Sequence, residues 1–135
     1  PRLISVEPTR SDCVRRSLDA GAAITLDLAG DSVMDGLVVG TPSRVAWPIL
    51  QAGLDAALAI EDEVAIQTLR GLAHGAWGEP RLEIGETGIA AIAGLVAACR
   101  SPRACATLGI SAPSRLIAIA CEGVTDRAVF ASLTR

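Results

Sequence analysis

Residues 88–99 read Gly-Ile-Ala-Ala-Ile-Ala-Gly-Leu-Val-Ala-Ala-Cys, and this run constrains the fold more than any other part of the chain. It has helix length but no polar side chain on any face, so a helix here must be covered on every side. At about 12 residues it is too short to span a bilayer core, which takes about 20, so the expected cover is protein. Its small side chains also let neighbouring elements approach closely. Composition repeats that demand: with two Trp, one Phe and no Tyr in 135 residues, the core has to be built from Ala, Leu, Ile and Val. A mean hydropathy of +0.43 points to a buried layer of a larger protein or to a surface made for a partner.

The rest of the chain alternates between strand and helix signals. Residues 2–7 are expected to form a short buried strand stopped by Pro8. Residues 12–20 fit a helix capped by Thr9 or Ser11 and ended by Gly21. Residues 23–28 fit a short extended piece, and the Gly-, Asp- and Ser-rich stretch at 29–42 fits a loop with one helical turn. Loops of that length in compact domains are often functional. Ser43 is expected to cap a helix running to about Asp55, followed by a strand at 56–60. Glu61, Asp62 and Glu63 place negative charge at the start of a helix over 63–74, where the macrodipole favours it.

Residues 75–80 are rich in turn formers. Thr87 can cap the apolar helix, read as 88–100, and a short helix is expected at 102–108. Residues 115–121, Arg-Leu-Ile-Ala-Ile-Ala-Cys, give the strongest strand signal, a continuous apolar run typical of a central parallel strand. A turn at Glu122-Gly123 then leads to a terminal helix from Thr125. This order predicts one α/β domain over residues 1–135, an open and mostly parallel sheet with helices on both faces.

Charge and cysteine usage narrow the function. A net charge of −3, with scattered arginines, argues against a nucleic-acid partner, which a basic stripe would mark. The four cysteines form no CxxC pair, so neither a metal site nor a redox motif is expected, and three of them sit among apolar residues as small hydrophobes do. With no secretory leader or membrane span in view, the expected setting is cytoplasmic and reducing. The opening Pro1-Arg2, running straight into apolar Leu3-Ile4-Ser5-Val6, looks like a chain cut just before a strand. His74, the single histidine, reads as a residue near a helix carboxyl end or, alternatively, as a general base.

Four short segments carry a family resemblance. They are Val6-Glu7-Pro8; Met34-Asp35-Gly36-Leu37 with Gly40 and Pro42; Gly85-Glu86-Thr87-Gly88; and Cys121-Glu122-Gly123-Val124-Thr125-Asp126. In order and spacing they resemble the carboxyl-terminal part of the large domain of fold-type II pyridoxal-phosphate enzymes, closest to the diaminopropionate ammonia-lyase family. The second, third and fourth are similar to that family's Met-Ala-Gly-Leu loop, its Gly-Glu-Ser-Gly helix start and its Thr-Glu-Gly-Asp-Thr-Asp segment. Asp35 stands where the pattern has alanine, and Val124 where it has aspartate.

The resemblance implies a pyridoxal 5'-phosphate cofactor and an amino-acid substrate that loses ammonia to give a keto acid. Such enzymes hold the cofactor aldehyde on a lysine amine. All twelve basic residues here are arginine, so the chain lacks that amine and, alone, is expected to be inactive, with no catalytic residue of its own. By resemblance, Cys121 faces the pyridine nitrogen; read from its surroundings alone it is a plain buried cysteine. Glu86 is either a carboxylate at the cofactor ring edge, or orienting substrate, or one interacting with its own helix dipole. Thr87 is a cofactor contact or a helix cap, and Gly85 and Gly88 permit close backbone approach to a ligand or a strand. Met34, Asp35 and Gly36 line the substrate side, where Asp35 reads as an acid–base group or a solvated loop carboxylate.

The expected partners are the missing lysine-bearing half or a second copy of the chain. A threonine or serine dehydratase-like fragment is the nearest variant. The competing class is a non-catalytic α/β ligand-binding or interaction domain, associating through its apolar surface. Coding sequence upstream of Pro1 separates the classes: a lysine-bearing half with a glycine-rich loop marks the enzyme, and a start codon at Pro1 the module.

Overall fold

Two parallel strands organise the chain in a computed structural model that describes residues 1–27, 31–78 and 80–135. Parts of the expected extended piece at 23–28, of the loop at 29–42 and of the turn at 75–80 lie outside the described residues. Strand β1 covers Ile4–Pro8 and β2 covers Ala56–Ile60, in register from Ile4 opposite Ala56 to Pro8 opposite Ile60. Pro8 is the last residue of β1 rather than the stop beyond it; the ladder continues when Thr9 N donates to Ile60 O at 3.0 Å.

The helices are α1 (Cys13–Ala20), α2 (Trp47–Gly53), α3 (Asp62–Ala73), α4 (Ala90–Arg100), α5 (Pro102–Leu108) and α6 (Arg127–Leu133). A 3-10 turn, Asp35–Leu37, sits in the expected loop. Helix α2 is shorter than expected, because the chain after Ser43 makes turns as far as Ala46, and the last helix starts two residues later than Thr125. Asp126 caps α6, accepting from Ala128 N at 2.8 Å and Val129 N at 3.0 Å.

The pleat of β1 assigns the layers. Neighbouring residues of a strand point to opposite faces. Val6 packs against Gly94 of α4, and Glu7 reaches the start of α1, so α4 and α1 cover opposite faces of the sheet. This is the α/β arrangement the sequence predicts, a parallel sheet with helices on both sides. Gly94 is required because a Cβ there would lie 2.6 Å from Val6 Cγ2. No residue of α4 from Ala90 to Ala98 is exposed, as its all-round apolar surface demands. The core joins Met34, Ile60, Ala65, Leu69, Ile89, Ala90, Ala93 and Phe130, drawing on β2, α3, α4 and α6.

Helix α1 is capped differently from expectation. Neither Thr9 nor Ser11 caps it: the carboxylate of Glu7 accepts from Val14 N and Arg15 N, both at 2.8 Å. Ser11 Oγ is committed to the loop, donating toward Val39 O and Leu37 O at 2.6 and 3.0 Å and accepting from Val39 N at 2.8 Å. A carboxylate at a strand end brings one oxygen to each of two orphan amides. Burial pushes the Glu7 carboxyl above its ordinary value, against those two amide bonds. For Asp12, burial acts the same way, but bonds and charge from Arg15 and Arg16 outweigh it and hold its carboxyl below the ordinary value.

The strand expected at residues 115–121 does not form. The segment joins no ladder, and Ile117 and Ile119 are 91% and 75% exposed. Between it, β1 and α4 lies a cleft of about 580 Å3 lined by Ile4, Val6, Leu95 and Leu108. An apolar run reads as a buried strand, but burial needs a neighbour along each edge, and β1 and β2 pair only with each other among the described residues. Cysteine burial is likewise corrected: only Cys13 is buried, its thiol pushed up to about 11 by desolvation and by Glu7, whereas Cys99 and Cys121 are exposed.

Two measurements check this packing. Gly94→Ala is expected to cost about 1–3 kcal/mol in urea unfolding, the usual cost of overpacking. Asp12→Asn is expected to cost about 1–3 kcal/mol at pH 7, the range for hydrogen bonds to charged groups. A lowered native pKa stabilises above the unfolded value and loses that effect as pH falls through the native one. The gap between wild type and Asp12→Asn therefore narrows below about pH 3.8.

Candidate functional site

The turn leading into α4 leaves backbone N–H groups that the helix itself cannot pair. Thr87 N and Gly88 N both donate to Glu122 Oε2, at 3.1 and 3.2 Å, and Gly85 N donates to the backbone oxygen of Glu122 at 3.2 Å. This contact requires the two glycines. A Cβ at Gly85 would lie 2.3 Å from Gly123 O, and one at Gly88 would lie 2.4 Å from Glu122 O.

A third segment joins through Thr87, whose Oγ1 accepts from Gly36 N at 3.0 Å. Residues 34–36, 85–88 and 121–123, all selected from the sequence, thus meet at one place. Met34, completely buried, anchors the first of them in the core. Ser32 and Asp62 hold the same loop: Ser32 Oγ donates to Asp62 and accepts from Met34 N, while Asp62 Oδ2 accepts from Val33 N at 3.1 Å.

Several local readings change. Thr87 is not a helix cap: its hydroxyl faces the loop, and α4 begins at Ala90 with no side-chain cap. The carboxylate that serves the amides before α4 belongs to Glu122, not to the adjacent Glu86. Glu86 Oε2 is instead buried with no hydrogen-bond partner among the described residues, against Val33, Ala65, Leu69 and Ile89. An unsatisfied carboxylate oxygen in such surroundings is costly to keep charged.

Cys121 is not a buried cysteine but an exposed, free thiol beside Glu122. Asp35 is exposed, as a solvated loop carboxylate would be. His74 stands at the carboxyl end of α3 with Nε2 2.6 Å from Thr134 O, next to Arg70 Nε on Leu133 O at the same distance. The pair ties down the end of α6.

Glu122 is the residue the sequence reading left out of the site. It stood within a quoted motif, but its partners lie 34 and 35 residues away, and no local pattern shows them. Chemically, the place offers an exposed thiol next to the Glu122 carboxylate. The chain carries no lysine amine to set beside them. Among the described residues, no group of three His, Cys, Asp or Glu side chains could hold a metal ion. The large cleft beside β1 is a separate feature, lined by none of the converging residues.

Comparison with known proteins bears out the resemblance. Residues 1–114 match the family model described as pyridoxal-phosphate dependent enzyme. Diaminopropionate ammonia-lyase of Escherichia coli K12 is 29% identical over 126 residues, which are 91% of this chain and 32% of that protein. The chain therefore spans about a third of the length of this curated relative. The crystal structure of the E. coli enzyme with an aminoacrylate-PLP azomethine reaction intermediate superposes with a TM-score of 0.84 and 26% identity, over 98% of this chain and 34% of that one. The processed form of threonine deaminase isoform 2 from Solanum lycopersicum gives 0.79 at 22% identity, over 98% of this chain and 35% of that one, a likeness of fold.

Two substitutions probe the convergence. Thr87→Val removes the acceptor for Gly36 N and is expected to cost about 0.5–1.5 kcal/mol in urea unfolding. Gly88→Ala sets a methyl against a backbone oxygen and is expected to cost more, about 1–3 kcal/mol.

Proposed function

The chain belongs to the pyridoxal-phosphate dependent enzyme family, and from that premise we propose that it is the carboxyl-terminal part of the large domain of an ammonia-lyase acting on an amino acid. One observation supports this most: three segments distant in sequence meet where the Cys121 thiol is exposed and Glu86 Oε2 has no hydrogen-bond partner among the described residues.

Pyridoxal phosphate, when bound, supplies an electron sink for bonds breaking at the substrate α-carbon. The residues present fit part of that group. Cys121 is the side chain we assign to the ring nitrogen; a neutral thiol there does not hold a proton on that nitrogen as an aspartate would, which favours elimination over transamination. Glu86 is assigned to the ring edge or to orienting the substrate. Gly85 and Gly88 shape this wall by letting the backbone close in, and Thr87 holds the loop of Met34, Asp35 and Gly36 on the substrate side. The Thr87 and Gly88 amides are already taken by Glu122, so this wall offers them to no cofactor phosphate.

In this reading the chain contributes binding and positioning, and no catalytic residue. The lysine that would remove the α-proton belongs elsewhere in the intact protein, which we place in the cytoplasm with an amino acid as substrate. Association with that remaining portion, or with a second copy, would complete the pocket.

The experiment compares residues 1–135 with the intact protein, each mixed with pyridoxal phosphate and dialysed. A visible absorption band is expected to survive only in the intact protein; retention by residues 1–135 would overturn the assignment. The intact protein is expected to release ammonia from 2,3-diaminopropionate. Cys121→Asp should slow that release by about tenfold, on the scale of ~1.4 kcal/mol of barrier.

A further inference from the structure

The carboxylate of Glu122 occupies a place where a helix amino terminus commonly takes an external anion. Three hydrogen bonds converge on this residue, two on its side chain and one on its backbone oxygen, all from the turn at residues 85–88. Its surroundings make those bonds decisive. Residues 115–121 join no ladder, and no other hydrogen bond ties residues 115–123 to the molecule among the described residues. Their side chains give little anchorage either, since Leu116, Ile117, Ile119 and Cys121 are exposed. Glu122 is therefore the polar attachment point of the whole segment, and Cys121 is its immediate neighbour.

We propose that Glu122 is a positioning residue, an internal anion that holds the Cys121 thiol in place and closes the Thr87–Gly88 amide pair to other anions. The proposal rests on the reading that Cys121 faces the cofactor. Glu122 does not touch the reacting atoms. It acts by fixing the peptide of its neighbour and by keeping Gly85 and Gly88 in van der Waals contact with residues 122 and 123. A methyl in place of its side chain would leave two aligned amides and a space of carboxylate size. A small carboxylate from solution can fill that space, whereas it could do nothing for a defect that is only one of packing.

The test uses the intact protein with Glu122→Ala and Glu122→Gln, the second keeping one oxygen acceptor without the charge. Amide hydrogen exchange is followed over residues 85–90, and pyridoxal phosphate affinity is measured by absorbance titration, each with and without formate. Loss of a charge-assisted bond is expected to speed exchange in Glu122→Ala by about tenfold and to weaken cofactor binding by a similar factor. Formate should restore much of both, and Glu122→Gln should fall between Glu122→Ala and wild type. Unchanged exchange in both variants would overturn the clamp. Faster exchange with unchanged cofactor affinity would overturn the positioning role while leaving the family reading intact. Failure of the wild-type protein to bind pyridoxal phosphate would instead overturn the reading of the site itself.

Discussion

The bond between the Glu122 carboxylate and the amides of Thr87 and Gly88 is the joint on which the arrangement of the site depends. It links the turn before α4 to the segment after residues 115–121, and α4 is the helix that covers one face of the sheet. Thr87 extends the joint to Gly36 through its hydroxyl, so three parts of the chain share one small polar cluster. The glycines are consequences of that cluster. At 2.3 and 2.4 Å from backbone oxygens there is no room for a Cβ at Gly85 or Gly88.

A similar device operates at the other face. Glu7, at the end of β1, satisfies two first-turn amides of α1, while back on the first face Gly94 lets α4 settle onto Val6. In both places a carboxylate from a different element serves orphan amides, and on the α4 side glycines allow the close approach. A chain with few aromatic side chains gains its packing from proximity rather than bulk, which accounts for the density of Ala and Gly in α4.

Much of the fold was legible because its signals are local. The apolar run at 56–60, the acidic start of α3 and the unbroken apolar surface of α4 each predict their own element, and each element formed. Residues 115–121 misled because an apolar run states what a segment would bury, not whether a neighbour is there to bury it. The caps misled in another way. Thr9, Ser11 and Thr87 are good local acceptors, yet Glu7 and Glu122 took the amides through contacts that are longer in sequence. The segments of the site were visible as motifs; the residue joining them was visible only once the chain had folded.

The missing lysine and the unsatisfied Glu86 oxygen are complementary observations. One marks chemistry the chain lacks, and the other a buried carboxylate oxygen with no hydrogen-bond partner among the described residues. Together they describe a wall rather than a whole pocket, in a chain about a third as long as its curated relatives. A crystal structure of the intact protein with pyridoxal phosphate tests that description most directly. The thiol of Cys121 is expected within hydrogen-bond reach of the ring nitrogen, with the amine holding the cofactor coming from outside residues 1–135. A ring nitrogen facing some other side chain, with Cys121 turned to solvent, would contradict it.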